Sequence, residues 1–397
     1  MLRRIDVAER RARLAVRHRL TAGTKADDPV EVARSLLALH GTDPSSVYVG
    51  AWARMRDGRV ADVERALYQD RSLIRLLGMR RTVFVTSLDV APVLQAACSR
   101  AVAARERRLV LRMLAEAGVA ADTVGVAAWL AAAEEAALRA LKERGEATAA
   151  ELASDDPRLG TELVVSRGKS YEGRQKLASR LLLLLAAEGH VVRGRPRGTW
   201  TSHQYRWAPL TDWLPGGLTD WSTQDAQTEL ARRWLRVFGP ATADDLCWWA
   251  GWTKTQTKRA LSELRPVEVD LDGQSGLLLP DDVAETPAPE PWAALLPALD
   301  STPMGWKNRG WFLGGHGPRL FDRNGNIGPS LWWNGRIVGG WAQDGQGEIV
   351  CGFLEDVGSD ARSAVRAEAE RLAERLGGVR LAARTRGRTW LEEELAG

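Results

Sequence analysis

Apolar positions along this chain follow a helical spacing, switch to strict alternation around a glycine, then return to the helical spacing, and the cycle runs three times. In the first cycle residues 5–20 form a basic amphipathic helix. Asp28 and Pro29 read as N-cap and first residue of a helix, PVEVARSLLALH, that closes near Gly41, and Asp43-Pro44 opens another through SSVYVGAWARM. A short helix over 60–69 leads to LIRLLGMRRTVFVTS, which alternates around Gly78 as a hairpin does. The second cycle has a helix over 123–145, a short helix ATAAELAS, a third helix GRQKLASRLLLLLAAEG, and the strand, wing and strand of HVVRGRPRGTWTSHQYRWAP. The third reads QTELARRWLRVFG, ATADDLCWWAG, TKTQTKRALSEL with Thr253 at its cap, and the hairpin VEVDLDGQSGLLLP. Helices followed by a two-stranded ribbon are the sequence form of a winged helix-turn-helix.

Past the proline-rich stretch DDVAETPAPEP the pattern changes to short strands broken by glycine over 292–356, with Asn334-Gly335 as a two-residue turn. A helix over 359–377 and a last strand near 379–382 finish the chain. The expected fold is therefore α+β: three tandem winged helix-turn-helix units followed by a C-terminal β-barrel or β-sheet domain with one helix. The expected boundaries are 1–90, a connecting helix 91–116, then 117–211, 222–284 and 291–397.

Composition narrows the function classes. Among 397 residues the formal net charge is +4, which permits a polyanionic partner without requiring one. Cys98, Cys247 and Cys351 are far apart and form neither a disulfide framework nor a metal-ligand cluster, so no metal or cofactor is expected. The arginine-containing N-terminus has no continuous apolar core, and no apolar run is long enough to span a membrane, so a cytoplasmic, nucleoid-associated monomer is expected. Of 17 tryptophans only Trp52 and Trp129 precede residue 200. Most of the rest are expected in the core, with Trp306, Trp332, Trp333 and Trp341 as alternatives for stacking on a base.

Basic residues place the expected nucleic-acid contacts. The third helix of the second cycle carries Arg174, Lys176 and Arg180, and its wing carries Arg193, Arg195 and Arg197, the layout of a duplex binder. Arginines of the connecting helix read as a solvated face or as phosphate contacts. The segment SRGKS over 166–170 lacks the glycine that a phosphate-binding loop needs, because Leu163 stands there. Asp322-Arg323-Asn324-Gly325-Asn326 lacks the later glutamate of a calcium loop and reads as a turn.

The block LLALHGTDPSSVYVGAWAR (residues 36–54), the ribbon with Arg80-Arg81-Thr82, and FDRNGNIGPSLWWNGRIVGGW (residues 321–341) together resemble the winged-helix DNA glycosylase superfamily of the AlkZ/YcaQ type, over nearly the whole chain. That resemblance implies excision of alkylated or bulky-adduct purines from double-stranded DNA. It also implies a catalytic Gln-x-Gln or Gln-x-Asp pair whose positions are taken here by His40 and Thr42, with Asp43 as the nearest carboxylate. Arg54, Arg80, Arg81 and Thr82 are expected to line or flank the same cleft, with Gly78-Met79-Arg80 as a wedge at the hairpin tip.

The chemistry sets what such residues must do. An alkylated purine is already a good leaving group, so the enzyme must stabilise an oxocarbenium-like sugar and orient a water. A neutral His40 accepts from that water. A protonated one repels the sugar cation, and a helix C-terminus would favour protonation. Asp43 serves either as a replacement carboxylate or as an N-cap. Three functions stay open: a glycosylase with an altered pair, a non-catalytic DNA-binding or regulatory protein on the same scaffold, or a protein–protein module in which the acidic third wing and the β cap bind a partner.

Overall fold

A computed structural model of the chain describes residues 2–165, 167–168, 172–381 and 387–397. The segment 166–170 falls largely outside these residues, as does Ala382 of the expected last strand. The described part of that strand, residues 379–381, is not extended into a sheet.

The first unit starts with Arg3–Arg4 as a short strand and the helix Val7–Arg17, capped by Asp6. Asp28 caps Pro29–Ser35 and Asp43 caps Pro44–Trp52. The former helix stops before His40. Leu37 adopts a left-handed backbone (φ 61°), its carbonyl accepts from the Thr86 hydroxyl at 2.7 Å, and the chain continues as the strand Leu39–His40. This strand pairs antiparallel with Val83–Ser87, which pairs in turn with Leu73–Leu77. Adding an edge strand satisfies backbone groups that a longer helix would leave facing that sheet edge, and it buries Leu39.

In the second unit, Thr123–Arg144 and Ala149–Asp155 are helical. The next helix is shorter than its sequence suggests, because Gly173–Lys176 pairs as a strand with Glu162–Val165 and only Leu177–Glu188 is helical. Arg174 and Lys176 therefore lie on a strand rather than on a recognition helix. The ribbon Val191–Pro196 and Tyr205–Pro209 follows. The third unit has Thr223–Phe238, Ala243–Ala250, Lys254–Leu264, and the hairpin Val267–Asp270 with Ser275–Leu278. Arg3–Arg4 adds to that hairpin in parallel, so the start of the chain completes the sheet of its third unit.

The C-terminal part is an open antiparallel sheet of four strands in sequential order: Ala293–Leu296, Ser330–Trp333, Arg336–Gln343 and Ile349–Phe353. It is not a closed barrel. Asn334 and Gly335 both have positive φ, the geometry of a tight hairpin turn. Two longer helices, Gly358–Leu376 and Trp390–Ala396, pack on this sheet, where the sequence suggests one. The fold is mixed α+β built on small sheets.

The cores cross the sequence boundaries. One joins Leu14, Phe84 and Met79 of the first unit to Trp234 and Phe238 of the third and to Trp306 and Trp332 of the C-terminal part. A second joins Trp52 and Tyr48 to Trp200 of the second unit's ribbon and Trp341 of the sheet. Trp306, Trp332 and Trp341 are fully enclosed there, which removes them as base-stacking platforms. The helices of the second unit enclose a core largely their own.

One polar bond ties these parts together. Arg54 is wholly buried and uses all of its N–H groups: on Asp300 at 2.7 and 2.9 Å, on the Thr302 hydroxyl at 2.8 Å, and on the carbonyls of Gly50 and His18. Around it, Ser46 donates to the Ala298 carbonyl and Ser301 to the Ala38 carbonyl. We expect Arg54→Ala to lower unfolding stability by about 3–5 kcal/mol, since it strands a buried carboxylate. Chemical denaturation checks this, and Arg54→Met paired with Asp300→Leu should recover much of the loss.

Candidate active site

His40, Arg80 and Thr82 meet in an open cleft of about 600 Å³, within the range of about 300–1,000 Å³ common for small-ligand sites. Its other walls come from Trp248 of the third unit and from Met304, Lys307, Arg309, Phe321, Asn324 and Asn326 of the C-terminal part. The cleft thus lies where three stretches of sequence converge.

His40 is 7% exposed, stands edge-on to Phe84 at 5.4 Å, and its Nδ1 has no hydrogen-bond partner. Burial, and then the positive charge of Arg80, push its pKa down to about 3. It is a neutral imidazole, and it sits on a strand rather than at the helix C-terminus that would favour protonation. Thr42 is exposed and lies in a bend two residues further on, past the end of the strand, and is not among the residues that line the cleft.

The hairpin tip is strained. Arg80 and Arg81 both take a left-handed backbone (φ 52° and 62°), which costs a residue with a Cβ about 1–2 kcal/mol. The tip is held by the Gly78 amide donating to the Thr82 carbonyl at 2.8 Å, and by Gly251, whose missing side chain lets the end of Ala243–Ala250 lie on Arg80. Met79 is fully buried in the core and forms no wedge. Arg80 turns into the cleft over Trp248 (4.0 Å to the ring centroid), while Arg81 pairs with Glu106.

Arg309 lies over the rings of both Trp248 (4.7 Å) and Phe321 (4.8 Å). Burial pushes the pKa of Arg80 down to about 10, and burial with the nearby charge of Arg80 does the same for Arg309. Both remain cationic near neutrality. The loop carrying Lys307 and Arg309 is anchored by Asp245. One carboxylate oxygen caps its own helix through Thr242, and the other accepts from the amides of Lys307 and Asn308 at 2.9 and 2.8 Å. The turn at Asn324 and Asn326 is closed by Asp322, which accepts from their amides.

Sequence reasoning missed Trp248, Lys307 and Arg309. The Trp248-Trp249 pair carried the only usable signal: neighbouring helical positions point about 100° apart, so one ring enters the core and the other does not.

The remaining expected residues lie elsewhere. Asp43 accepts from the amide of Ser45 and the hydroxyls of Ser45 and Ser46, and borders a separate small cavity beside Ala298 and Trp341. Arg54 is spent on Asp300 and has no donor left for a groove. Arg180 joins Arg81 on Glu106, and Arg174 pairs with Glu162. Arg193 stacks on Tyr205 and Trp207, and Arg195 binds Glu64 and lies over Tyr68. The ribbon of the second unit therefore turns these two arginines toward neighbouring aromatic and acidic groups. Among the described residues, Lys176 and Arg197 enter no ion pair and are exposed.

Residues 33–375 match the family model described as DNA glycosylase AlkZ-like. This chain belongs to the AlkZ-like DNA glycosylase family. Among solved structures it resembles the DNA glycosylase AlkZ of Streptomyces sahachiroi, with 19% identity, a TM-score of 0.70, and coverage of 96% of this chain and 99% of that one. At that identity the likeness speaks for the fold. No curated protein matches the sequence. Among the described residues of this AlkZ-like chain, no helix is long and apolar enough to cross a membrane.

The depressed pKa of His40 has a definite sign. Between its ordinary value of 6.5 and about 3 the unfolded chain binds the proton and the folded chain does not. His40 therefore contributes stability that is full above pH 6.5 and is lost as pH falls toward 3. We expect its imidazole C–H resonance to stay unshifted from pH 8 to 5, and His40→Gln to flatten the acid limb of a stability–pH curve. A titration midpoint near 6.5 would refute the assignment.

Proposed function

We propose that this chain binds double-stranded DNA and hydrolyses the N-glycosidic bond of an alkylated or bulky-adduct purine, in repair or in self-resistance to a genotoxin. In this reading the three helix-and-hairpin units are winged helices, and the protein acts as a monomer at the nucleoid. The observation that carries it is His40, buried with a partnerless Nδ1 on the wall of a nucleotide-sized cleft, where the sequence resemblance puts the first glutamine of the family's motif.

The reaction fits what the residues can supply. The alkylated base departs without a strong acid, so the first demand on the site is an acceptor that orients water. The unprotonated His40 ring accepts from the water. Thr82 on the cleft wall helps to orient it. Arg80 at the hairpin tip, with exposed Lys176 and Arg197, meets the sugar–phosphate backbone. Asp43, held by Ser45 and Ser46, takes no part.

One observation favours a second reading, a DNA-binding protein without catalysis: among the described residues no Asp or Glu lines the cleft beside His40. Single-turnover excision of N7-methylguanine or a bulky N7 adduct from duplex DNA separates the two, with binding measured in parallel. For the glycosylase we expect His40→Ala to slow excision about 100-fold or more while binding holds, the usual scale for a lost acid–base group, and His40→Gln, which restores the glutamine of the family's motif, to lose less. Tight binding with no excision by wild type on either substrate supports the second reading.

A further inference from the structure

The cleft wall contains a cluster that water-positioning by His40 does not explain. Arg80 and Arg309 both lie over Trp248, at 4.0 and 4.7 Å from its centroid, and Lys307 lines the same cleft. Neither guanidinium forms an ion pair among the described residues: both face the Trp248 ring, Arg309 also faces Phe321, and Asp245 acts on Arg309 only through space, its oxygens being taken up by Thr242 and by the amides of Lys307 and Asn308. Arg309 also donates from Nε to the Trp306 carbonyl at 2.8 Å, and Arg80 Nε is buried without any acceptor. Lys307 reaches Asp244 only at 4.0 Å, with both groups half-exposed.

Elsewhere several arginines meet carboxylates, Arg13 and Arg17 at Asp282, Arg81 and Arg180 at Glu106, Arg107 at Glu134 and Glu188, while Arg75 and Arg193 share the Tyr205 ring; Arg80 and Arg309 share theirs on the wall of an open cleft. Two like charges held close without a counter-ion are costly unless an anion joins them. The stacking on Trp248 fixes their planes, and the amides of the Lys307–Arg309 loop are pinned by Asp245, so the donors are set before anything binds.

We infer that Arg80, Arg309 and Lys307 form a clamp for one phosphate group beside His40. Under the DNA reading proposed above, on which this inference rests, the ligand is the backbone phosphate flanking the nucleotide drawn into the cleft. That phosphate brings negative charge to a wall on which, among the described residues, no carboxylate faces the cleft. The same donors also fit a free phosphate monoester, and the experiment separates the two sources.

The test uses the full chain as wild type, Arg309→Gln and Arg309→Lys. Binding is measured by fluorescence anisotropy to a duplex with one abasic-site analogue, and to the same duplex with a neutral methylphosphonate on either side of it, at salt from about 50 to 200 mM. We expect Arg309→Gln to weaken binding about 10-fold and to reduce the log–log salt slope by about one contact. Arg309→Lys should keep the slope with a smaller loss. A methylphosphonate at one flanking position should weaken wild type about 10-fold and Arg309→Gln no further.

Losses that simply multiply, or no loss in Arg309→Gln, overturn the clamp while leaving the DNA reading intact. If wild type binds no duplex, the DNA reading fails and the clamp is judged with inorganic phosphate alone. A phosphate-dependent rise in Tm present in wild type and absent in Arg309→Gln then supports a free-phosphate site. An equal rise, or none, overturns it.

Discussion

The buried ion pair between Arg54 and Asp300 is the constraint on which the architecture turns. Neither charge is solvated, and each is held only by the other and by nearby backbone and hydroxyl groups. Such a pair adds little net stability over a well-packed apolar substitute, yet separating its partners is very costly. It therefore specifies one arrangement: residue 300 must lie against the helix that ends near Trp52. The neutral His18, its pKa driven well down by burial and by Arg54, and its bond to Thr302 complete the knot.

From that knot the cleft follows by short steps. Residues 298–302 lie along Ala38 and Ser46, next to the strand that carries His40. The chain then passes Trp306, whose indole donates to the Phe238 carbonyl, and reaches the loop pinned by Asp245. Lys307 and Arg309 are thereby brought opposite the hairpin tip that presents Arg80. Each wall belongs to a different stretch of sequence, and each is fixed by a buried polar contact rather than by apolar packing alone. This division of labour suits a site that needs defined donors: the tryptophan-rich core supplies most of the burial energy, and the few buried polar bonds set register.

Local signals in the sequence carried far. Asp28-Pro29, Asp43-Pro44, Thr253 and Asn334-Gly335 sit at the caps and turn they announce, because those preferences depend on backbone groups within a few residues. His40, Arg80 and Thr82 line one cleft. What was not legible depended on distant partners. The helical pattern runs on to Gly41, but Val83–Ser87 recruits Leu39–His40 into a sheet, and burial there beside Arg80 keeps His40 neutral. Arg54 and Arg193 look like surface cations until Asp300, Tyr205 and Trp207 are placed beside them. Lys307 and Arg309 carry no local mark, since only Asp245, some sixty residues away, brings them to the cleft.

The most direct measurement is a crystal structure of the full chain bound to a duplex containing an abasic-site analogue. The account predicts the abasic nucleotide turned out of the helix with its sugar facing His40 and a flanking phosphate between Arg80 and Arg309. DNA bound across another face, with the His40 cleft holding no part of it, would contradict the central claim.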